Sequence, residues 1–164
     1  MARPHIDWDV RVGNQLIAEQ LNYDLDQLHQ IVGVSTLNDE QQELYNAILD
    51  YVDLGEGHGK ACFVHSAGGS GKMYICNLIA AAVHAKGKIV FCVASSQGIA
   101  SLLLSGGCTA HSHFKIPIPI HEASSCNIKK GDVWHELLCQ TSLIIWDEVS
   151  MQHRNVIECV DCSL

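Results

Sequence analysis

The run Ser66-Ala67-Gly68-Gly69-Ser70-Gly71-Lys72-Met73 constrains this chain more than any other stretch. Glycines at 68, 69 and 71 let successive backbone N–H groups turn inward together, which Cβ atoms would obstruct. The apolar run Ala61-Cys62-Phe63-Val64 before it predicts a short buried strand. Beyond it, Tyr74 to Val83 is apolar on nearly every face, which predicts a helix packed against a sheet. A strand, a glycine turn and a helix start make an anion cradle, because the first helical amides are unpaired and the dipole end is positive. Lys72 adds a mobile charge with the reach of β- and γ-phosphates. Ala67, Gly68, Gly69, Ser70, Gly71, Lys72 and Met73 are therefore the expected phosphate-binding residues. A dinucleotide-binding fold fits less well, since Tyr74 stands where G-x-G-x-x-G counted from Gly69 needs its third glycine.

A second motif depends on the first. Leu143-Ile144-Ile145-Trp146 reads as an apolar strand, and Asp147-Glu148 ends it. Ligands of open α/β sheets gather at the carboxyl ends of strands, so both acids are expected beside the phosphates. Asp147 is the expected Mg²⁺ ligand, and Glu148 the group that orients or deprotonates the attacking water. Two positions depart from the phosphate-loop pattern. Ser66 replaces a glycine, and Met73 replaces the Ser or Thr whose hydroxyl would ligate Mg²⁺. A thioether is a poor partner for a hard cation, so nucleotide binding should survive Met73 better than metal-assisted hydrolysis.

The remaining chain fits a parallel sheet clad with helices. Ile17, Leu21, Leu25, Leu28 and Ile31 mark an amphipathic helix over 14–32. A second helix starts at Leu37-Asn38-Asp39-Glu40-Gln41, with Asn38 as N-cap and Gln41 at the reciprocal position. Leu44, Ile48 and Val52 continue its buried stripe. A surface turn over 55–59, a buried strand over 88–94 and a helix over 99–104 follow. Then come Gly106-Gly107, a His-rich loop into Phe114, an extended Ile116–Ile120 held by alternating prolines, and a short helix over 133–138. This β-α-β-α rhythm gives the fold class: α/β, a P-loop NTPase with helices on both faces of a parallel sheet, preceded by a helical N-terminal segment over 1–36.

Composition narrows the partners. At 164 residues and 48% hydrophobic content, the chain can bury a core, yet no run of about twenty apolar residues offers a membrane span. The N-terminus lacks the apolar centre of a signal peptide. A charge of −8 with 10 Lys and Arg is unusual for a free-standing nucleic-acid binder. Of the 8 cysteines, Cys62, Cys76 and Cys92 fall in expected buried elements, and the set reads as reduced thiols. Cys159-x-x-Cys162 has C-x-x-C spacing but no second such pair, and the spacing of Cys108, His111, His113, His121 and Cys126 matches no strong zinc pattern.

Read in order, these segments resemble the Pif-one family of DNA helicases, which includes Helitron-type helicase domains. The resemblance rests on Leu37–Gln41, Gly69–Lys72, Val93-Ala94-Ser95-Ser96, Gly98-Ile99-Ala100, Thr109-Ala110-His111-Ser112, Phe114-Lys115-Ile116-Pro117, and Leu143–Glu148 with Met151. It runs from about Leu16 to the last residue. It implies a RecA-like first motor domain over 37–164 that binds ATP and Mg²⁺, with Gln41 reading the adenine base. It also implies single-stranded DNA as partner, contacted by Ser95, Ser96, Thr109, His111, Ser112 and Phe114, the last placed to stack on a base; for His111 and Phe114, core packing beneath the loop is an equal alternative. Unwinding from 5′ to 3′, a nuclear location, and roles in repair, recombination and telomere maintenance follow from the resemblance alone. Gln97 looks inserted, and Cys108 and His113 replace arginines of the family pattern. The arginine that completes the ATP site belongs to a second motor domain, and Arg3, Arg11 and Arg154 do not fit that role. The competing expectation is a non-catalytic nucleotide-binding or interaction module whose Met73 has ended hydrolysis; a small P-loop kinase fits less well, because no lid arginines follow the acidic strand.

Overall fold

The computed structural model describes Ile17 and residues 36–54, 60–65, 67–96 and 108–163. The expected helix over 14–32 lies outside these residues apart from Ile17, which is helical and packs against the core. The expected turn over 55–59, helix over 99–104 and Gly106-Gly107 also lie outside them.

Helix α1 spans Asp39–Leu54 and starts as its sequence predicts. The Asn38 side chain accepts from the Gln41 amide at 2.9 Å, and the Gln41 side chain accepts from the Asn38 amide at 3.1 Å. Two donors that the first turn would leave unpaired are thus satisfied reciprocally. Its inner stripe carries Tyr45 and Val52, with Leu44, Ile48 and Leu49 partly covered. Helix α2, Lys72–Ala85, is buried along most of its length from Ile75 to His84. It gives way at Gly87, whose φ of 70° suits a residue without a Cβ.

Strand β1 (Ile89–Ala94) lies between β2 (Cys108–Thr109) and β3 (Thr141–Asp147), and both neighbours run parallel to it. Alternation along β1 assigns its two faces. Ile89, Phe91 and Val93 join one cluster, with α3 (Ala110–His113), α4 (Val133–Gln140) and α5 (Arg154–Asp161). Val90 joins the other cluster, with α1 and α2, and Cys92 packs against it. β3 splits the same way, Ile144 and Trp146 to the first cluster, Leu143 and Ile145 to the second. Helices therefore cover both faces of a parallel sheet, as expected of the RecA-like P-loop fold.

Two local expectations are corrected, and one helix was missed. Ala61–Val64 is extended but joins no strand of the described sheet, and all four residues are exposed. A strand exists only with a hydrogen-bonded neighbour, and the described residues offer this run none. The His-rich loop before Phe114 is instead the short β2 followed by the single turn α3. Thr109 caps that turn, its hydroxyl accepting from the Ser112 amide at 3.3 Å. Finally, α5 was not anticipated. Val156, Cys159 and Val160 give it one apolar stripe at steps of three and four residues, too short a signal to stand out.

Candidate nucleotide site

The glycine turn leads straight into α2. Gly69 and Gly71 have φ of 77° and 84°, the left-handed region that side chains with a Cβ rarely enter. A Cβ on Gly68 or Gly69 would meet nothing within 4 Å, so both positions face open space. At Gly71 a Cβ would come within 3.1 Å of the Gln41 side-chain nitrogen. That nitrogen donates to the Ser70 carbonyl at 3.1 Å, tying α1 to the turn. One residue thus both closes the helix cap and touches the loop. The Lys72 ammonium donates to the Ala67 carbonyl at 3.1 Å, folded back over its own loop. Thr36 and Tyr74 hydroxyls are bonded at 2.9 Å, a second tie between the start of α1 and the start of α2.

The acidic strand ends beside this turn. Ala94, the last residue of β1, pairs in register with Asp147, and Met73 packs on Ala94. The charges agree with that placement. Burial pushes the Cys76 thiol up to about 11, with the Asp147 carboxylate raising it further and the Lys72 ammonium pulling it down. One side chain thus senses both the loop's cation and the strand's acid. Asp147 accepts from the Glu148 amide at 3.0 Å, which fixes the turn between them. Glu148 itself is exposed, with φ of 52°. Met73 offers sulfur within an apolar cluster rather than an oxygen toward Asp147.

The residues expected to meet nucleic acid separate into different environments. Ser96 and Ser112 are exposed, and Thr109 and His111 are half-buried. Ser95 is committed elsewhere: its amide donates to the Asp147 carbonyl at 3.2 Å, and its hydroxyl to the carbonyls of Asp147 and Glu148. Phe114 is a correction. It is only 1% exposed, and its ring lies 5.7 Å from Trp146 within the core, so it cannot stack on a base. His113 is buried between Phe91, at 4.3 Å, and Trp134, at 5.7 Å. Burial, then the nearby Lys115 charge, lowers its pKa to about 4, which leaves it a neutral aromatic rather than a substitute for an arginine.

The sequence reading missed Gln152. Its amide donates to the Ser95 carbonyl at 2.9 Å and so braces the ends of β1 and β3 from behind the acidic turn. No pattern in the sequence marks it, because a lone glutamine after a strand has many uses.

Among the described residues, no group of His, Cys, Asp and Glu is arranged to hold a metal ion without further ligands, and no helix is long and apolar enough to cross a membrane. A family model described as PIF1-like helicase matches residues 36–164. No curated protein matches the chain.

Proposed function

The chain belongs to the PIF1-like helicase family, and from that premise we propose that residues 37–164 are the first, nucleotide-binding motor domain of an ATP-dependent DNA helicase. The family relation also implies a second motor domain that works with this one. The observation that carries the reading is the pairing of Ala94 with Asp147 while Met73, at the start of α2, packs on Ala94. It supports one pole of the sheet at which a glycine turn and a carboxylate face the same ligand.

The residues fit a triphosphate. The turn leaves open space where a Cβ would stand on Gly68 or Gly69, and the N-terminus of the 14-residue α2 adds a positive dipole end. Lys72 would leave the Ala67 carbonyl for phosphate oxygens. Gln41, already bonded to Ser70, would turn its amide to the base. The fit to Mg²⁺ is poorer. Asp147 would hold the ion, mostly through water, and Met73 supplies no oxygen. Bound Mg²⁺ would supply charge neutralisation at the phosphates. Glu148, exposed at the turn, would accept the proton of the attacking water. Ser96, Thr109, His111 and Ser112 would contact the phosphates and sugars of a single strand. Travel from 5′ to 3′, nuclear residence, and roles in repair, recombination and telomere maintenance are parts of the same proposal and rest on the family relation.

Met73 favours one second reading, a domain that binds nucleotide without hydrolysing it. Titration with ATP in the presence and absence of Mg²⁺ tests both. Binding should be lost in Lys72→Ala, and Met73→Thr should tighten only the Mg²⁺-dependent part. Indifference of the purified chain to ATP would remove both readings, while binding without turnover in Met73 protein, restored by Met73→Thr, would select the second.

A further inference from the structure

Away from the nucleotide pole, the segment before α4 docks on the C-terminal end of α5 through sulfur and hydroxyl groups. The Cys126 amide donates to the Ser163 hydroxyl at 3.0 Å, and that hydroxyl donates to the Cys159 carbonyl at 2.7 Å. The Cys126 thiol lies 3.6 Å from the same carbonyl and 3.7 Å from the Cys159 sulfur. Both thiols are buried, at 8% and 1% exposure. The Ser163 hydroxyl thus bridges the backbones of two cysteines distant in sequence, whose sulfurs make a contact that no other pair of described cysteines makes at hydrogen-bond range.

We propose that Cys126 and Cys159 are a site of reversible oxidation, a dithiol that hydrogen peroxide converts into a disulfide joining the segment around 126 to α5. A disulfide bond of about 2.05 Å requires the sulfurs to close by about 1.6 Å, a movement that rotation about the two Cα–Cβ bonds would supply. Access is asymmetric. A cavity of about 250 Å³ beside the pair is lined by Cys126, His135, Cys139 and Cys162, but not by Cys159. Cys126 is therefore the sulfur that meets the oxidant. As a thiolate it attacks one peroxide oxygen; the O–O bond breaks, and the departing hydroxide takes up the thiol proton as water. The Cys159 sulfur then attacks the resulting sulfenic sulfur, the S–O bond breaks, and the oxygen leaves as a second water with the Cys159 proton. Two thiols lose two electrons and two protons, and one peroxide becomes two waters. Burial pushes the Cys159 thiol up to about 11, so formation should be slow compared with oxidation of the exposed cysteines. The proposal is independent of the nucleotide reading.

The test uses the full chain carrying Cys62→Ser, Cys139→Ser and Cys162→Ser, which removes the exposed thiols and leaves the pair intact. After peroxide, alkylation and digestion, the expected result is a chain lighter by two hydrogens, with a dithiothreitol-sensitive cross-link between the peptides of Cys126 and Cys159. Its melting temperature should rise on oxidation and return on reduction. Adding Cys126→Ser should abolish the cross-link. If that variant fails to fold, the peptide map of the parent alone still decides. The proposal is overturned if Cys126 and Cys159 remain fully alkylated after peroxide, or if a cross-link in the unsubstituted chain joins either of them to another cysteine instead.

Discussion

Two short apolar runs lead into the two halves of the candidate site, and they have different fates. Leu143–Trp146 is hydrogen-bonded in register along β1, and its side chains alternate between the two clusters. Ala61–Val64 is equally apolar but stands exposed, with Phe63 at 72%. A hydrophobic run states that a segment requires burial; it does not state which neighbour supplies it. In β3 the neighbour is a strand fifty residues earlier, and the pairing carries Asp147 to the end of Ala94. The upstream run has no such partner among the described residues, so its apolar pattern goes unrealised there.

The largest test of this contrast is at the strand on which β3 depends. Phe91 in β1 is 1% exposed and meets His113 edge-on at 4.3 Å. Phe91→Ala should lower stability by about 3 to 5 kcal/mol, read from the urea midpoint, because the surrounding cluster refills the cavity only in part. A loss below about 1 kcal/mol would mean that β1 is not packed at the centre of the core.

The next effect reports on helices that cover opposite faces of the sheet. Burial lowers His84 on α2 to about 4, and burial with the Lys115 charge lowers His113 on α3 to about 4. In the unfolded chain both return toward about 6.5, so below that pH unfolding takes up protons that the folded form refuses. Stability contributed by the neutral histidines is complete above pH 6.5 and declines as pH falls toward 4. Between pH 6.5 and 5 the denaturation free energy should fall with a slope approaching two protons per molecule, and His113→Phe should remove one of them. An unchanged slope in His113→Phe would place that imidazole in contact with water.

These comparisons also show where the sequence was sufficient. The capping pair Asn38 and Gln41, the glycine turn, α2, β1 and β3 rest on local signals, each contained within a few residues, and each formed. What escaped the sequence depended on contacts across the chain. Ser95 looked like a solvent-facing hydroxyl, yet residues 52 and 53 positions later recruit it as a brace. For Phe114 the sequence left base stacking and core packing level, and only the contact with Trp146 across the chain decides for the core. Gln152 and α5 carried no distinctive spacing. At the candidate site, residue types were legible, but their commitments to one another were not.

A smaller effect isolates a feature that local sequence did fix. Asn38→Ala removes the acceptor for the Gln41 amide and should cost about 1 kcal/mol, the usual worth of an N-cap. The backbone amide of residue 38 remains in the variant and still donates to the Gln41 side chain, so the tie from Gln41 to Ser70 should hold. The readout is faster amide exchange at Gln41 and Gln42 in the first turn of α1, with exchange in β1 unchanged. Equal acceleration in β1 would show that the cap acts on the whole fold rather than on its own helix.

The smallest expected change is the most direct probe of the contrast. Phe63 projects from the unpaired run with nearly three-quarters of its surface in water, so Phe63→Ser should alter stability by no more than about 0.5 kcal/mol. Its sequence pattern alone, four apolar residues before a glycine turn, argues for a loss several times larger, because a buried phenylalanine contributes about 2 to 3 kcal/mol by transfer from water. The two expectations are far enough apart for a single urea titration to separate them. A loss near the larger figure would mean that the run is buried against a neighbour in solution, and that the apolar pattern outweighs the exposure. A loss near zero leaves the glycine turn anchored from its downstream side, through α2 and the Gln41 bond to Ser70, with β3 bringing the acid to it.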